Sequence, residues 1–341
     1  MATIKSLVVP QLFSKILSKF PSNFSFCFAY GSGVKKQIDN VGLTPNSNII
    51  DLIFCVDNAY EWHEQNLQHN NSHYSGLKYL GHHSIANFQQ SYGAKVYFNT
   101  LVPFEDITIK YGVISTRDLV TDLLEWSDLY LAGRLHKPVE IVIQSTSSEL
   151  QTAIQLNLQS AVHAALLILP ETFTEYQFYR TVANLSYAGD FRMIFGENKQ
   201  KVDNIVKPQL LNFRYLYEPF LNNLHDYVDF PITEPMGGSE GKMVKCLQDV
   251  SPLTRLHHLN QLPRWPQKAL TKFWNRGTLT QDTEDVLRAI AYDPDCNVIV
   301  NNCINGIVWQ SSISQSLKSI VTAGFLKSVR YSAKKITKML R

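Results

Sequence analysis

Several things are scarce in this chain of 341 residues, and each absence narrows the reading. Long apolar runs are missing although 45% of the residues are hydrophobic. No stretch approaches the ~20 residues a spanning helix needs, and the longest candidate, Ala161–Pro170, is interrupted by His163 and closed by proline. The five cysteines (Cys27, Cys55, Cys246, Cys296, Cys303) form no CxxC pair, so a disulfide framework is not expected and all five are read as reduced. The phosphate-loop signature GxxxxGK[ST] is absent, as is a GxGxxG opening a helix, which removes the two commonest nucleotide fingerprints. No internal repeat is present.

Acidic residues are also missing from both ends: none precedes Asp39 and none follows Asp295. The overall balance, 32 basic to 29 acidic, hides this asymmetry. Seven basic residues (Lys318, Lys327, Arg330, Lys334, Lys335, Lys338, Arg341) lie in the final stretch; without them 25 basic residues face 29 acidic ones, a net of −4. A mildly acidic body therefore carries a strongly basic tail, which points to an anionic partner for the tail. On a helical wheel Val321, Phe325, Val329, Ile336 and Leu340 fall on one side, and Lys327, Arg330, Lys334, Lys338 and Arg341 on the other. That is a basic amphipathic helix, the form of an interfacial anchor on anionic lipid. Packing on its own domain is disfavoured by the lack of nearby acidic partners, and nucleic-acid binding by the lack of interleaved aromatics. At the other end, Lys5, Lys15 and Lys19 among apolar residues read as an ordinary first helix closed at Phe20-Pro21, with a weak targeting segment as the rival reading.

The stretch with most chemical content runs from Phe24 to Val56. Phe24, Phe26 and Phe28 alternate with small residues, the period of a strand. Gly31-Ser32-Gly33 follows, a turn whose N–H groups can face an anion with no Cβ in the way. A second strand, Ile49–Val56, carries Asp51 in an otherwise apolar sequence, where a carboxylate is costly unless a cation or hydrogen bonds compensate it. Strand, Gly-Ser turn and strand with an acid is the pattern of polymerase-β-type nucleotidyltransferases, in which a carboxylate holds a divalent cation against a nucleotide's phosphates. The general pattern has a second acid two residues on; here that position is Ile53. Asp57, of the same strand parity, and Glu105 or Asp106 in the next turn are the candidates to complete the site. The purely structural alternative is a glycine turn beside a hydrogen-bonded buried aspartate.

Further on, Trp62, His63, Asn66, Asn70 and His73 recur at helical spacing and form a polar face that is read as a site lining or as a plain surface helix. Strands are expected over Ala94–Leu101 and Ile107–Ile114, a helix from Ser115 to Gly133, and a strand over Val139–Ile143. Residues 148–225 read as mostly helical, with Leu150, Ile154, Leu158, Val162 and Leu166 as a core stripe. Residues 228–280 read as loop-rich, with Gly237-Gly238 and several prolines.

Taken together, a set of short motifs resembles the mitochondrial translocator assembly and maintenance family, the mitochondrial phosphatidate cytidylyltransferases. They are Tyr30-Gly-Ser-Gly-Val34, Ile50-Asp51-Leu-Ile-Phe54, Trp62-His63, Asn66-Leu67, His73-Tyr74-Ser75, Lys78, Lys110-Tyr-Gly-Val-Ile-Ser115, Asp122-Leu-Leu, Ala132-Gly-Arg134-Leu, Lys137-Pro-Val and Gly189-Asp-Phe-Arg192-Met. The resemblance resumes at Asp293-Pro-Asp-Cys296 and Thr322-Ala-Gly324 and is weakest over roughly 220–290. Many members have Phe-x-Gln after the Gly-Val, where this chain has Lys35-Lys36-Gln37. The resemblance implies an α/β (α+β) fold, a nucleotidyltransferase domain with a mixed sheet over 1–145 and then a helical winged-helix-like domain with a loop-rich insertion over 146–310; the basic amphipathic stretch, read from its own periodicity, makes a membrane-surface segment over 311–341. It also implies CTP + phosphatidate → CDP-diacylglycerol + pyrophosphate, with Mg²⁺ as cofactor, on the matrix face of the mitochondrial inner membrane, feeding cardiolipin synthesis. The family, like this chain, carries one acid on that strand.

On this reading Asp51 is catalytic and a Mg²⁺ ligand, with Asp57 as second metal candidate. Gly31, Ser32, Gly33, His63, Asn66, His73, Tyr74, Ser75 and Lys78 are the CTP-binding candidates. Lys110, Arg134 and Lys137 are assigned to phosphate or phosphatidate, each with a surface ion pair as its bland alternative. Lys327, Arg330, Lys334, Lys338 and Arg341 are assigned to the anionic lipid surface. No nucleic-acid partner is expected. The rival functions are a nucleotidyltransferase with a soluble acceptor, which leaves the tail unexplained, and a non-enzymatic membrane-surface assembly factor, which leaves Asp51 unexplained.

Overall fold

The computed structural model describes residues 11–31, 34, 49–195, 200–231, 244–277 and 280–324. Ser32 and Gly33 of the glycine turn and the tail residues Lys327, Arg330, Lys334, Lys338 and Arg341 lie outside them. The chain forms two units, one of residues 1–120, 139–151 and 313–341, the other of residues 121–138 and 152–312. The division differs from the expected bounds: residues 121–138 go with the second unit, and residues 146–151 and the helix end from 313 go with the first.

The first unit is built on a five-stranded mixed sheet in the order β3-β4-β2-β1-β5. The strands are β1 (Phe26–Tyr30), β2 (Ile49–Val56), β3 (Tyr97–Phe104), β4 (Ile107–Ser115) and β5 (Glu140–Ile143). β2 runs parallel to β4 and antiparallel to β1, with Asp51 opposite Tyr30 on one side and Lys110 on the other. Alternation gives this sheet two unlike faces. Leu52, Phe54, Ile109, Tyr111, Val113, Cys27 and Ala29 point to one of them. There they join Phe13, Ile16 and Phe20, from the first helix (α1, 11–17) and the turn after it, and Trp62 of α2 (Ala59–Asn70) in one apolar core. The residues between them on the strands, Asp51, Lys110, Phe28 and Tyr30 among them, point to the other face. α3 (Gly81–Ser91) follows two short 3₁₀ turns, Asn71–His73 and Gly76–Leu80.

The helix expected from Ser115 to Gly133 is instead two. α4 (Thr116–Glu125) ends early and α5 (Ala132–Leu135) restarts the chain. The cause is Asp122, whose carboxylate accepts the backbone N–H groups of Asp128, Tyr130, Leu131 and Ala132 at 2.8–3.1 Å. Trp126 and Leu129 take positive φ, 54° and 50°, to make those four bonds possible.

The second unit is helical, with a small antiparallel sheet in the order β6-β8-β7. Its elements are α6 (Ser148–Ile168, shared with the first unit), β6 (Thr172–Thr174), α7 (Glu175–Asn184), α8 (Arg192–Phe195), α9 (Lys201–Val206), α10 (Leu210–Asn222), β7 (Val228–Asp229), β8 (Lys245–Gln248), α11 (Pro252–Asn260), α12 (Arg264–Trp274), α13 (Thr283–Tyr292) and α14 (Cys296–Ala323). Of the expected α6 stripe, Leu150, Leu158, Val162 and Leu166 are buried and Ile154 is half-buried. The expectation of loop over 228–280 fails at α11 and α12. Pro252 sits in the first turn of α11 behind the Ser251 cap, and Pro263 stands immediately before α12. There proline opens helices, because its missing N–H falls where a helix has no acceptor for it.

α14 ends on the first unit. Gln315 accepts the N–H of Ala94 at 3.0 Å and donates to Val96 O at 3.2 Å. Lys318 is buried, its Nζ donating to Gln89 O and Tyr92 O at 2.7 Å each. Backbone carbonyls satisfy this lysine, so the lack of acidic side chains nearby does not exclude packing, as the sequence argument had assumed. No helix among the described residues is long and apolar enough to cross a membrane. All five cysteines are free and buried.

Candidate active site

On the face of the sheet opposite this core, where Phe26, Phe28 and Ile53 are buried but Asp51 and Lys110 stay partly exposed, three predicted residues come together. Gly31 ends β1 with φ +88°, a conformation that costs an L side chain roughly 1–2 kcal/mol. A Cβ on it would stand 3.3 Å from Asp51 Oδ2, so the glycine leaves one carboxylate oxygen uncrowded. The other oxygen, Oδ1, lies 3.3 Å from Lys110 Nζ, with both side chains only partly exposed. Lys110 in turn lies over the Phe98 ring, 4.5 Å from its centre. The register explains the convergence: Tyr30, Asp51 and Lys110 are neighbours across three adjacent strands. A cation, a carboxylate and a glycine of positive φ thus lie together on one face.

Asp51 lacks a second strand carboxylate beside it. The five strands contain one other acid, Glu140, which pairs with Ala29 on the core-facing register. Asp57 shares the parity of Asp51 but lies six residues along, about 20 Å at strand rise, beyond any shared ion. Its carboxylate accepts from Ser25 Oγ at 2.7 Å and Thr116 Oγ1 at 2.6 Å. Those hydroxyls, Thr116 first, hold it below the usual carboxylate range. Asp57 fastens β2 to the start of α4 and is not brought to Asp51. Glu105 and Asp106, at the β3–β4 hairpin tip, lie four or five residues before Lys110, roughly 13 Å or more along the strand.

The polar face of α2 goes to the opposite side of the sheet. His63 and Asn66 are fully buried and Tyr74 nearly so. Their hydrogen bonds form one chain whose polarity is fixed by its ends. Gln89 Oε1 can only accept, so His63 Nε2 donates to it at 2.8 Å. His63 Nδ1 then accepts from Tyr74 Oη at 2.8 Å, while Asn66 Nδ2 donates to Tyr74 Oη at 2.8 Å and to Tyr111 Oη at 3.1 Å. Asn70 Nδ2 donates to Asn66 Oδ1 at 2.8 Å, and Tyr111 Oη meets His73 Nδ1 at 3.1 Å. Burial pushes the pKa of His63 down to about 4, so the ring is neutral. Tyr111 and Lys110 are adjacent on β4 and therefore point to opposite faces. His63, Asn66, Tyr74 and His73 thus meet one another, and they do not meet Asp51. Ser75 Oγ donates to Val321 O at 3.0 Å and Lys78 Nζ lies 5.4 Å from the centre of the Tyr79 ring.

Arg134 and Lys137 belong to the second unit, where they form their own basic group. Arg134 stacks on Tyr130 at 3.9 Å and donates to its carbonyl. Lys137 is buried, donates to Gly133 O and to Ser186 Oγ (2.9 Å to the latter), and lies 4.9 Å from the centre of the Tyr187 ring. Burial first, then the Arg134 and Lys201 cations, push its pKa well below the lysine range. Asp122 was missed as a site-building residue. By tying down residues 128–132 it sets the start of α5 and so the placement of Arg134. An acid inside an apolar helix stripe was the signal available for it, as for Asp51.

Known proteins match nearly the whole chain. The family described as "Phosphatidate cytidylyltransferase, mitochondrial" matches residues 13–338. Proteins of that same name are similar to this chain in Danio rerio (46% identical over 329 residues, 96% of this chain and 94% of the relative). In Drosophila melanogaster the identity is 45% over 340 residues, 96% and 98% of the two chains. In Homo sapiens it is 43% over 312 residues, 92% of this chain and 67% of the relative. With a glycine turn, a strand aspartate and a strand lysine converging on one face of a mixed sheet, and a match of this length, the chain belongs to the mitochondrial phosphatidate cytidylyltransferase family.

Proposed function

We propose that this protein transfers the cytidylyl group of CTP to phosphatidate in mitochondria, giving CDP-diacylglycerol and pyrophosphate. The family match gives the reaction, and the meeting of Gly31, Asp51 and Lys110 is the observation that carries it to residues. A phosphate oxygen of phosphatidate attacks the α-phosphorus of CTP. A new O–P bond forms, the bond from the α-phosphorus to the bridging oxygen breaks, and pyrophosphate leaves with that electron pair. A phosphate monoester oxygen is already nucleophilic, so no general base is needed. The neutral histidine of the α2 network, sealed on the other face, is not asked to act as one.

The residues present fit a hard divalent cation such as Mg²⁺: Asp51 offers an oxygen donor, and Gly31 keeps its Oδ2 clear. When bound, such an ion neutralises charge on the nucleotide's phosphates. Lys110 brings a positive charge to the same place, steadied by Phe98, and Gly31 lets backbone approach the phosphates closely. Arg134 and Lys137 suit an anionic group of either substrate by their charge. The basic tail, Lys327 to Arg341, completes the proposal as a peripheral anchor on the anionic inner-membrane surface, matrix side, supported by its helical periodicity.

Two measurements test this. Purified protein with radiolabelled CTP, phosphatidate vesicles and Mg²⁺ is expected to release CDP-diacylglycerol; no product, or equal product with a soluble phosphomonoester in place of the lipid, overturns the substrate assignment. For the anchor, truncation after Gly324 leaves Gln315 and Lys318 in place and removes the basic face. That truncated chain is expected to lose binding to anionic vesicles; equal binding removes the anchor from the proposal.

A further inference from the structure

Away from the phosphate chemistry, in the second unit, three histidines converge. His163 comes from α6, and His257 and His258 from the last turn of α11. One ring nitrogen from each lies within 4.8 Å of the others, and among the described residues no other group of three or more His, Cys, Asp or Glu side chains is so placed. His163 Nδ1 and His258 Nδ1 are 2.9 Å apart. Both rings are buried, and His258 Nε2 has no hydrogen-bond partner among the described residues. His257 is half-buried, stacked on Tyr227 with ring centres 4.5 Å apart. The cluster borders a cavity of about 230 Å³, lined also by Gln159, Phe220 and Gln261.

We infer that His163, His257 and His258 form a Zn²⁺ site that joins α6 to α11. Two imidazole nitrogens bound to one Zn²⁺ at about 2.0–2.1 Å in tetrahedral geometry stand roughly 3.3 Å apart. The 2.9 Å contact is within a few tenths of an ångström of that. Two facing Nδ1 atoms can share only one proton between them, and a ring that leaves its other nitrogen unpartnered in the interior is incompletely satisfied by the protein alone. An ion completes such a pair. The third nitrogen comes from His257, the least buried of the three and already within 4.8 Å of the other two, and the cavity that His163 and His257 line with Gln159 leaves room for a fourth ligand. Neutral imidazoles with no carboxylate select a borderline ion over Mg²⁺, so this site does not compete with Asp51 for its metal.

The test uses the full chain, stripped with a chelator and titrated with Zn²⁺ in the presence of excess Mg²⁺. Expected are one Zn²⁺ per chain retained through gel filtration, a tetrahedral d–d absorption band with Co²⁺ in its place, and a rise in melting temperature with Zn²⁺. His257→Asn is expected to weaken binding on the order of 100-fold or more, since loss of even an outer-shell partner costs about 10–100-fold. His163→Asn/His258→Asn is expected to abolish it, and Asp51→Ala to retain it. Zinc lost on gel filtration, a Co²⁺ spectrum with only octahedral character, or His257→Asn binding with wild-type affinity overturns the site. If the double variant does not fold, the Co²⁺ spectrum of the wild-type chain decides.

Discussion

The two faces of the five-stranded sheet hold polar residues of opposite kinds. On the core face, His63, Asn66, Tyr74 and Tyr111 are sealed and bonded to one another. On the other face, buried along most of its length, Asp51 and Lys110 are partly exposed and face each other across 3.3 Å beside a glycine with no side chain. A buried polar group whose bonds are all internal specifies the packing of a core. A carboxylate left with an uncrowded oxygen is able to bind something else. The residue types alone do not separate the two cases, since histidine, asparagine and tyrosine line active sites as readily as they knit cores. Strand parity separates them, and the single step from Lys110 to Tyr111 crosses from one kind to the other.

The comparison is tested hardest at Asp51. Asp51→Asn removes the charge and keeps the shape, so its turnover of CTP is expected to fall by about 10³ or more, the several kcal/mol that metal-assisted charge neutralisation supplies. Its thermal midpoint should stay near that of the wild type, because Asp51 is partly exposed and Lys110 keeps its contact with the Phe98 ring. A variant that keeps a tenth of the activity would move the catalytic centre off this face.

On the opposite face the expected loss is in stability. His63→Leu leaves Tyr74 Oη and Gln89 Oε1 without their partner, which is expected to cost roughly 2–4 kcal/mol in denaturant unfolding. Activity per folded molecule should change less than about threefold, a barrier change under roughly 1 kcal/mol. Reversed outcomes, full stability with lost turnover, would return His63 to the active site. The same ring gives a pH signature. Its pKa falls from 6.5 to about 4 on folding because burial disfavours the imidazolium. The unfolded chain therefore takes up the proton first as pH drops. The stabilising contribution is whole above about 6.5 and is lost as pH falls from there through about 4, and His63→Leu should flatten that part of the stability curve.

Much of this was legible in the sequence because apolar alternation and glycine placement are local. β1, β2, the turn at Gly31 and the odd position of Asp51 needed only their neighbours. The register that sets Lys110 against Asp51 was not local, since it joins strands about sixty residues apart through the β2–β4 pair. Nor was the fate of the α2 face, because a helix pattern gives the polar side but not what covers it. The prolines at 252 and 263 misled for a related reason: proline marks a boundary without saying whether a helix stops or starts there.

Gly31→Ala sharpens the contrast by disturbing the Asp51 face without touching its charges. Its Cβ would take a positive-φ position and approach Asp51 Oδ2 at 3.3 Å. The strain of roughly 1–2 kcal/mol should appear both as lower stability and as a turnover reduced by about 5–30-fold, the rate equivalent of that energy. Serine at the same position should do no better, since the backbone and not the side chain is at fault. Wild-type turnover in Gly31→Ala would mean that the β1 turn has no part in holding the phosphates.

The smallest effect is expected at Asp57, and it is the one that asks whether parity alone makes a ligand. Asp57 has the same strand parity as Asp51 and lies about 20 Å further on, with its carboxylate already spent on Ser25 and Thr116. Asp57→Asn keeps an acceptor but gives up the charge in both hydrogen bonds, so unfolding should become easier by about 1 kcal/mol, the difference between charged and neutral hydrogen bonds. Turnover and its dependence on Mg²⁺ concentration should match the wild type. If Asp57→Asn instead raised the Mg²⁺ needed for half-maximal activity, the ion would have to reach the far end of β2, and the Asp51 face would hold more than one centre.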